Sequence, residues 1–295
     1  MSISSRPRRS FLYMPGSNAR ALDKGRRLAA DALIMDLEDS IAPDVKNEAR
    51  ATIVSELAKG GYGRREILVR INPLDTQWGR DDIAAIAKTS ADAVLVPKVA
   101  TAADVLSVDR ALAAAGAPDA LTIWCMIESP LAILNIRDIA CASPRLGGFI
   151  MGTSDLVKDL GALHTKERLP VLTSLGMAVL AARAYGLAII DGVHLDLNDD
   201  EGFEASCRQG RELGFDGKSL IHPKTLAAAN TAYGPSEADI EHARRVIDAF
   251  DAAIAKGKGV ALLDGNLVEN LHAQTARQLL ELADNIAALQ DDIAA

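Results

Sequence analysis

The chain has 295 residues, of which 49% are hydrophobic and only 4% aromatic, and it carries a net charge of −8. That is enough apolar material for one large α/β domain or two ordinary ones, with a core built mainly of Ala, Leu, Ile and Val. The acidic balance argues against a nucleic-acid partner, and no apolar run approaches the ~20 residues of a membrane span. Cys125, Cys141 and Cys207 are odd in number and well separated, so they read as reduced thiols, not as a disulfide or zinc framework. With no signal-peptide core, a cytoplasmic protein is expected. A short mitochondrial presequence is the alternative, from the acid-free start that holds Arg6, Arg8 and Arg9.

In chain order, a first strand is predicted over Arg9–Met14, closed by Pro15-Gly16, with Ser17 or Asn18 capping a helix from Ala19 to Ala30. A second strand runs from Ala32 to Leu37 and ends in Glu38, Asp39 and Ser40. A helix follows from Asp44 to Ala58, then the glycine-rich loop at Gly60–Gly63. The third strand is Glu66–Ile71, the next helix Asp81–Lys88, the fourth strand Ala93–Val96, and an Ala-rich helix spans Ala102–Ala115. Thr122–Ile127 is the fifth strand, with Pro130 opening a helix to Cys141. Gly148–Met151 is the sixth, followed by Asp155 and an irregular section to Pro170. A helix over Val171–Tyr185, a strand at Ala188–Ile190, a helix over Asp199–Leu213 and a strand at Gly217–Ile221 complete the series, and His222-Pro223 begins another helix.

Eight strand–helix alternations with short, non-alternating apolar strands point to a (β/α)8 TIM barrel, with an open doubly wound sheet as the alternative. The polar residues favour the barrel. Asp36, Glu38, Asp39, Arg70, Asn72, Lys98, Glu128, Asp155, Asp191 and His222 all fall at strand carboxyl ends, which in a barrel ring a single mouth. The barrel domain is expected over residues 1–235. Residues 236–295 form a helical extension, with a long helix over Glu237–Lys256, a glycine-punctuated turn (GKGVALLDGNLVEN) and a final helix. It reads as a lid or arm on a neighbouring subunit, or as a helical hairpin on its own barrel.

No HExxH, GxSxG, P-loop, CxxC or Rossmann motif is present, which turns away from zinc hydrolysis, nucleotide hydrolysis and thiol redox chemistry. Lys98 is either a Schiff-base lysine or a salt-bridging one. Glu128 and Asp155 sit at matching positions in consecutive strand–helix units, so either they cap helices or they converge on one hard cation. Mg²⁺ binds through one or two carboxylates and keeps open positions, which a bidentate 2-keto acid could fill; Mn²⁺ is the substitute. Arg70 would then place a fixed positive charge against a developing alkoxide or enolate, or be paired with Glu38 or Asp39, and the two roles are compatible.

FLYMPGS (Phe11–Ser17), MDLEDSIAP (Met35–Pro43), VRIN (Val69–Asn72), LVPKV (Leu95–Val99), MIES (Met126–Ser129), GTSDL (Gly152–Leu156) and DGKSLIHP (Asp216–Pro223) resemble, in order, the citrate lyase beta-subunit family. That family also holds malyl-CoA, β-methylmalyl-CoA and citramalyl-CoA lyases. The resemblance implies a trimer-forming barrel, a homotrimer or a dimer of trimers, that cleaves or forms a C–C bond beside a CoA thioester with Mg²⁺. It implies Glu128 and Asp155 as metal ligands, Arg70 as the oxyanion partner, and the Gly152–Asp155 turn as a cradle for the keto-acid carboxylate. Ser17, Arg20, Lys24 and the Ile221-His222-Pro223 turn lie where the family places CoA. The segment Asp264–Glu269 resembles one that reaches a neighbouring site, except that Glu269 stands where an Asp is usual. Asp36, Glu38, Asp39, Glu269 and a metal-bound water are the base candidates. Within the same class the alternative is a citryl-thioester lyase working with an acyl-carrier protein. Outside it, the alternative is a catalytically silent assembly subunit.

Overall fold

In the computed structural model, which describes residues 6–294, eight parallel strands pair in chain order and close on themselves. They are β1 (Ser10–Pro15), β2 (Ala32–Asp36), β3 (Glu66–Arg70), β4 (Ala93–Val96), β5 (Thr122–Ile127), β6 (Leu146–Met151), β7 (Ala188–Asp191) and β8 (Gly217–Leu220). β1 pairs with β2 on one side and β8 on the other, so the sheet has no edge and the open alternative is ruled out. Strands β2, β3, β4, β7 and β8 are buried at every position, because helices cover the outside and side chains fill the inside.

The barrel interior is packed around Trp124, whose ring lies 5.3 Å from that of Phe11, with Ile34, Leu68, Leu95, Ile150 and Ile190 beside it. A Cβ at Gly148 would stand 2.7 Å from that indole, so the glycine is what lets the ring fit. At the amino end of the strands Arg8 pairs with Glu66 (2.7 Å) and Arg9 with buried Asp31 (2.8 Å). Two arginines of the basic start are thus tied into the barrel floor. The first five residues of the presequence alternative lie outside the described residues.

Ten helices surround this unit: α1 (Ala19–Gly25), α2 (Lys46–Lys59), α3 (Gly79–Ile86), α4 (Ala102–Ala114), α5 (Pro130–Leu134), α6 (Ile136–Ala140), α7 (Thr153–Asp159), α8 (Leu172–Tyr185), α9 (Asp200–Leu213) and α10 (Leu226–Tyr233). Several differ from the predicted spans. α1 stops at Gly25, which is pressed against Met14 and Leu33 so closely that a Cβ would meet Met14 Sδ at 2.9 Å. The helix predicted over Pro130–Cys141 breaks at Asn135 (φ −99°, ψ 7°), whose side-chain amide donates to the Ala100 carbonyl. β6 starts two residues earlier than expected. The section after β6 opens with α7, which places Asp155 in a helical first turn and not at a strand end. A 3₁₀ turn over Pro223–Thr225 precedes α10.

The described residues divide into two compact units, Arg8–Tyr233 and the chain from Gly234 onward, with which Arg6 and Pro7 are grouped. The second contains α11 (Glu237–Ile254), β9 (Ala261–Leu263), β10 (Asn266–Val268) and α12 (Asn270–Ala294). The predicted glycine-rich turn is in fact a two-residue β-hairpin. Asp264 (φ 52°) and Gly265 (φ 80°) both occupy the left-handed region that such a turn demands. Val246 and Phe250 of α11 pack on Ala261 and Val268 of the hairpin and on Ala273 and Ala276 of α12. No helix among the described residues is long and apolar enough to cross a membrane.

Candidate active site

A cavity of about 400 Å³ opens at the carboxyl ends of the strands, where barrel enzymes carry their chemistry. Its lining includes Tyr13, Asp36, Asp39, Arg70, Met126, Glu128, Gly152, Thr153, Asp155 and Ile221. The predicted carboxylate pair and the predicted arginine therefore share one space.

Glu128 immediately follows β5 and is only 4% exposed. It does not cap α5; Ser129 does, accepting from the Ala132 N–H at 3.1 Å. Instead Oε1 of Glu128 accepts the backbone N–H of Lys98 at 2.7 Å. A Cβ on Gly152 would lie 2.4 Å from Glu128 Cβ and 2.6 Å from its Oε2, so glycine there makes room for the carboxylate. Asp155 comes from the first turn of α7 with its side chain 36% exposed. Between the two stands the Lys98 ammonium, hydrogen-bonded to Asp155 and 3.5 Å from Glu128 Oε1. Burial pushes the Glu128 carboxyl above its usual range, against the pull of Lys98.

These residues fit a hard divalent cation. Two carboxylates face a point that the structure already fills with positive charge. With two carboxylates as its protein donors, an ion held here would keep sides open to water or ligand oxygens. That is the habit of Mg²⁺. Lys98 follows the salt-bridging reading. Burial alone would lower its pKa, but Asp155 and Glu128 carry it well above the ordinary lysine value, and a Schiff-base lysine must lose that proton.

Arg70, at the end of β3, grips Asp36 of β2 with Nε and Nη2. Its Nη1 lies 3.0 Å from Glu38 and 3.5 Å from Asp39, and its guanidinium stacks 4.9 Å over the Tyr13 ring. The expected partners Glu38 and Asp39 are present, but Asp36 is the principal one. Burial would raise the Asp36 pKa, yet Arg70, Ser40 and the Glu38 N–H hold it below the usual carboxylate range. Asp36 is thereby an anchor and a poor base. Glu38 is different. Desolvation pushes it up to about 7 against the pull of Arg70, while the neighbouring Asp39 raises it further. Glu38 is buried behind the cavity wall, and half-free Asp39 is the member of that pair that lines the space. Lys46 fixes their loop by donating to the Leu37 and Glu38 carbonyls.

Not every strand-end polar residue joins the site. Asn72 is buried against Asp82 at 2.7 Å. Asp191 is fully buried, held at 2.7 Å by Arg168 and at 2.8 Å by Lys218, an internal ion cluster. Ile221 reaches the cavity, while His222 and Pro223 stand beside it and His222 Nδ1 accepts from the Lys224 N–H. Ser17, Arg20 and Lys24 are exposed on α1 and the turn before it, next to β8 through the β1–β8 pairing, but outside the cavity lining. Glu269 belongs to the second unit, exposed at the start of α12, its N–H donating to His272 Nδ1. Sequence reasoning missed Tyr13 and Met126, whose hydroxyl and sulfur meet at 3.3 Å. Both looked like ordinary strand apolars, and only strand phase distinguishes those that face the mouth.

Three kinds of similarity agree with this geometry. The HpcH/HpaI aldolase/citrate lyase family matches residues 9–223. A (3S)-malyl-CoA thioesterase of Cereibacter sphaeroides is 50% identical over 98% of this chain and 99% of its own length. The citrate lyase subunit beta of Escherichia coli is 37% identical over 95% and 94%. An L-malyl-CoA/beta-methylmalyl-CoA lyase of C. sphaeroides is 36% identical over 96% and 97%. Among solved structures, protein CitE of Mycobacterium tuberculosis in complex with magnesium, acetoacetate and coenzyme A superposes with a TM-score of 0.74 at 28% identity, covering 93% of this chain and 97% of that one. A closed eight-stranded barrel, seven motifs in order and relatives matched along nearly their whole length leave one assignment: the chain belongs to the HpcH/HpaI aldolase/citrate lyase family, whose members include carbon–carbon lyases.

Proposed function

We propose that this protein is a Mg²⁺-dependent enzyme of malyl-type CoA thioesters that splits the C–C bond beside the thioester, giving a 2-keto acid and an acyl-CoA. The observation that carries this reading is that Glu128, Asp155 and Arg70 line one cavity at the barrel mouth. It is supported by solved relatives complexed with magnesium and with pyruvate, oxaloacetate or coenzyme A. When bound, Mg²⁺ would supply Lewis-acid charge to the substrate oxygens. Glu128 and Asp155 would hold it. Arg70, its fork locked on Asp36, offers a preorganised positive charge that costs no rearrangement as negative charge develops. Asp39, facing the cavity and paired with Glu38, accepts the substrate hydroxyl proton. The electron pair of the breaking C–C bond moves to the thioester, whose α-carbon then takes up a proton.

Thioester hydrolysis is the second reading, favoured by the 50% identity to a (3S)-malyl-CoA thioesterase. There a water adds to the thioester carbonyl, the C–S bond breaks and the CoA thiol leaves. A citryl thioester on an acyl-carrier protein is the third, from the citrate lyase subunit beta relatives. A silent assembly subunit has no support from a cavity this complete. The assay is a panel of malyl-, β-methylmalyl-, citramalyl- and citryl-CoA, following keto acid and free thiol separately. Keto acid without thiol supports cleavage, thiol without keto acid supports hydrolysis, and neither from any ester rejects the proposal.

Arg20 and Lys24 stand one turn apart on α1 and suit the phosphates of CoA, with Ser17 and the Ile221-His222-Pro223 turn flanking its path. The second unit is proposed as the lid of a neighbouring barrel, bringing Glu269 to bound thioester in a homotrimer or dimer of trimers. Exposed Val260, Leu262 and Leu267 on its hairpin supply an apolar contact surface for that role. Three free thiols suit the cytoplasm.

A further inference from the structure

We infer that Lys98 is a tethered counter-ion that holds the Glu128–Asp155 pair when no metal is bound and must leave for the metal to enter. The inference rests on the metal-site reading above and adds to it a built-in competitor.

Three features of the geometry point this way. First, the Lys98 ammonium contacts both carboxylates, lying 3.5 Å from Glu128 Oε1 and hydrogen-bonded to Asp155. A cation held by the same two carboxylates would meet that ammonium, so the two are mutually exclusive as they stand. Second, the backbone at Lys98 has φ 55°, the left-handed region that a non-glycine residue enters at a cost. That turn aims the Lys98 N–H at Glu128 Oε1 (2.7 Å) while the side chain doubles back over the same carboxylate. The main chain thus fixes the ligand, and the side chain occupies the ligand's partner position. Third, there is somewhere to go. Lys98 also lines a separate cavity of about 560 Å³ between α3 and α4, whose wall includes Asp75 and Asp104. The side chain is 44% exposed, so solvent and not packed core borders its path toward this space. Asp75 offers a carboxylate there to the displaced ammonium, while Asp104 already accepts from the Ala100 and Thr101 N–H groups and Arg80 and Arg110 share the wall.

The device has a physical purpose. Glu128 is nearly buried, and a carboxylate left there without a partner would be costly. Lys98 keeps the pair partnered and oriented before the metal arrives, at the expense of affinity for it. Metal uptake becomes an exchange of one cation for another.

The test is Mg²⁺ affinity, measured by titration calorimetry on the full-length protein without substrate, together with thermal melting at zero and saturating Mg²⁺. Lys98→Met is expected to tighten Mg²⁺ binding by about fivefold or more, the lower bound set by one unit charge about 4 Å from another in bulk water. It is also expected to lower the melting temperature only in the metal-free protein. Lys98→Asn, which tolerates the left-handed backbone, should reproduce both effects and guards against a folding failure of the Met variant. Lys88→Gln removes an exposed positive charge that lines neither cavity, and should leave the affinity within about twofold. Equal or weaker Mg²⁺ binding in both Lys98 variants would overturn the counter-ion role while leaving the metal site standing. Tightening matched by Lys88→Gln would overturn it too, as a general charge effect. Wild-type binding that ignores Glu128→Gln would instead sink the metal reading beneath it.

Discussion

Arg70 holds Asp36 by two parallel hydrogen bonds, Nε to Oδ1 and Nη2 to Oδ2, each 2.7 Å long. Neighbouring strands in register place the two residues opposite each other, so the barrel itself aligns the fork. A planar guanidinium can do this and an ammonium cannot. Arg70→Lys is therefore expected to lower kcat by roughly 10²-fold, the scale of losing one oxyanion donor. Steady-state kinetics on the active ester decides it: a change confined to KM would reduce Arg70 to a binding residue.

Glu128→Gln should abolish Mg²⁺-dependent turnover and leave the fold intact. Because burial already disfavours the charged form of Glu128, the neutral isostere should melt no lower than the parent by more than a few degrees. Circular dichroism and turnover with added Mg²⁺ check both halves, and retained metal-dependent activity would reject the site.

Glu38 sets a pH dependence. Its carboxyl is pushed from 4.5 up to about 7, first by burial and then by its acidic neighbours. Between those values the folded protein binds the extra proton, so the stability Glu38 contributes is complete below about 4.5 and is lost as pH rises through about 7. Melting temperature should fall across that window. Glu38→Gln should flatten the fall, by about 2–4 °C for each kcal/mol involved. An unchanged slope would mean that other groups carry it.

Asp191→Asn would leave Arg168 and Lys218 buried together without their shared anion. Breaking a buried ion cluster by removing one partner costs about 3–5 kcal/mol. Urea unfolding should show a loss of that order. A loss under about 1 kcal/mol would show that the two cations find other partners.

Removal of the second unit tests the shared-site proposal. A cut at Lys256 would strip α12 and the hairpin from Phe250 and Val246 of α11, so the clean boundary is Gly234. The shortened protein should still bind Mg²⁺ but turn over CoA esters poorly. Mixing it with full-length Glu128→Gln should restore part of the activity, one chain supplying the metal site and another the lid. No rescue would defeat the sharing of sites and leave the metal chemistry in place.

Most of the barrel was legible because its strands are short apolar runs ended by polar residues, a pattern that burial on both faces imposes. The mouth was legible for the same reason: Glu128 and Arg70 stand where strands stop. What escaped was set by packing and backbone shape. Asn135 breaks a helix through a bond to Ala100, which no local spacing announces. The hairpin at Asp264-Gly265 does carry a signal, an Asp-Gly pair between apolar residues, inside a segment that otherwise reads as one glycine-punctuated turn. Asp191 looked like Asp155 in the chain, yet Lys218 and Arg168 claim it. Lys98 could be recognised as an ion-pairing residue, but not that its partners are the metal-site carboxylates themselves. Two residues adjacent in space from different strands leave no trace in spacing.

Trp124 makes the barrel a well and not a tunnel. Seated against Phe11 and the bare backbone of Gly148, it stops the axis, and Arg8 closes over its ring from below at 5.2 Å. Traffic must then use one doorway. For the two-fragment cleavage proposed above, this would impose a queue: a piece lodged beside buried Met126 and Glu128 would depart only after a piece near the more exposed Ile221 had gone. The deep fragment, added alone, should therefore be able to re-enter an empty site, while the outer fragment alone leaves the bottom of the well open.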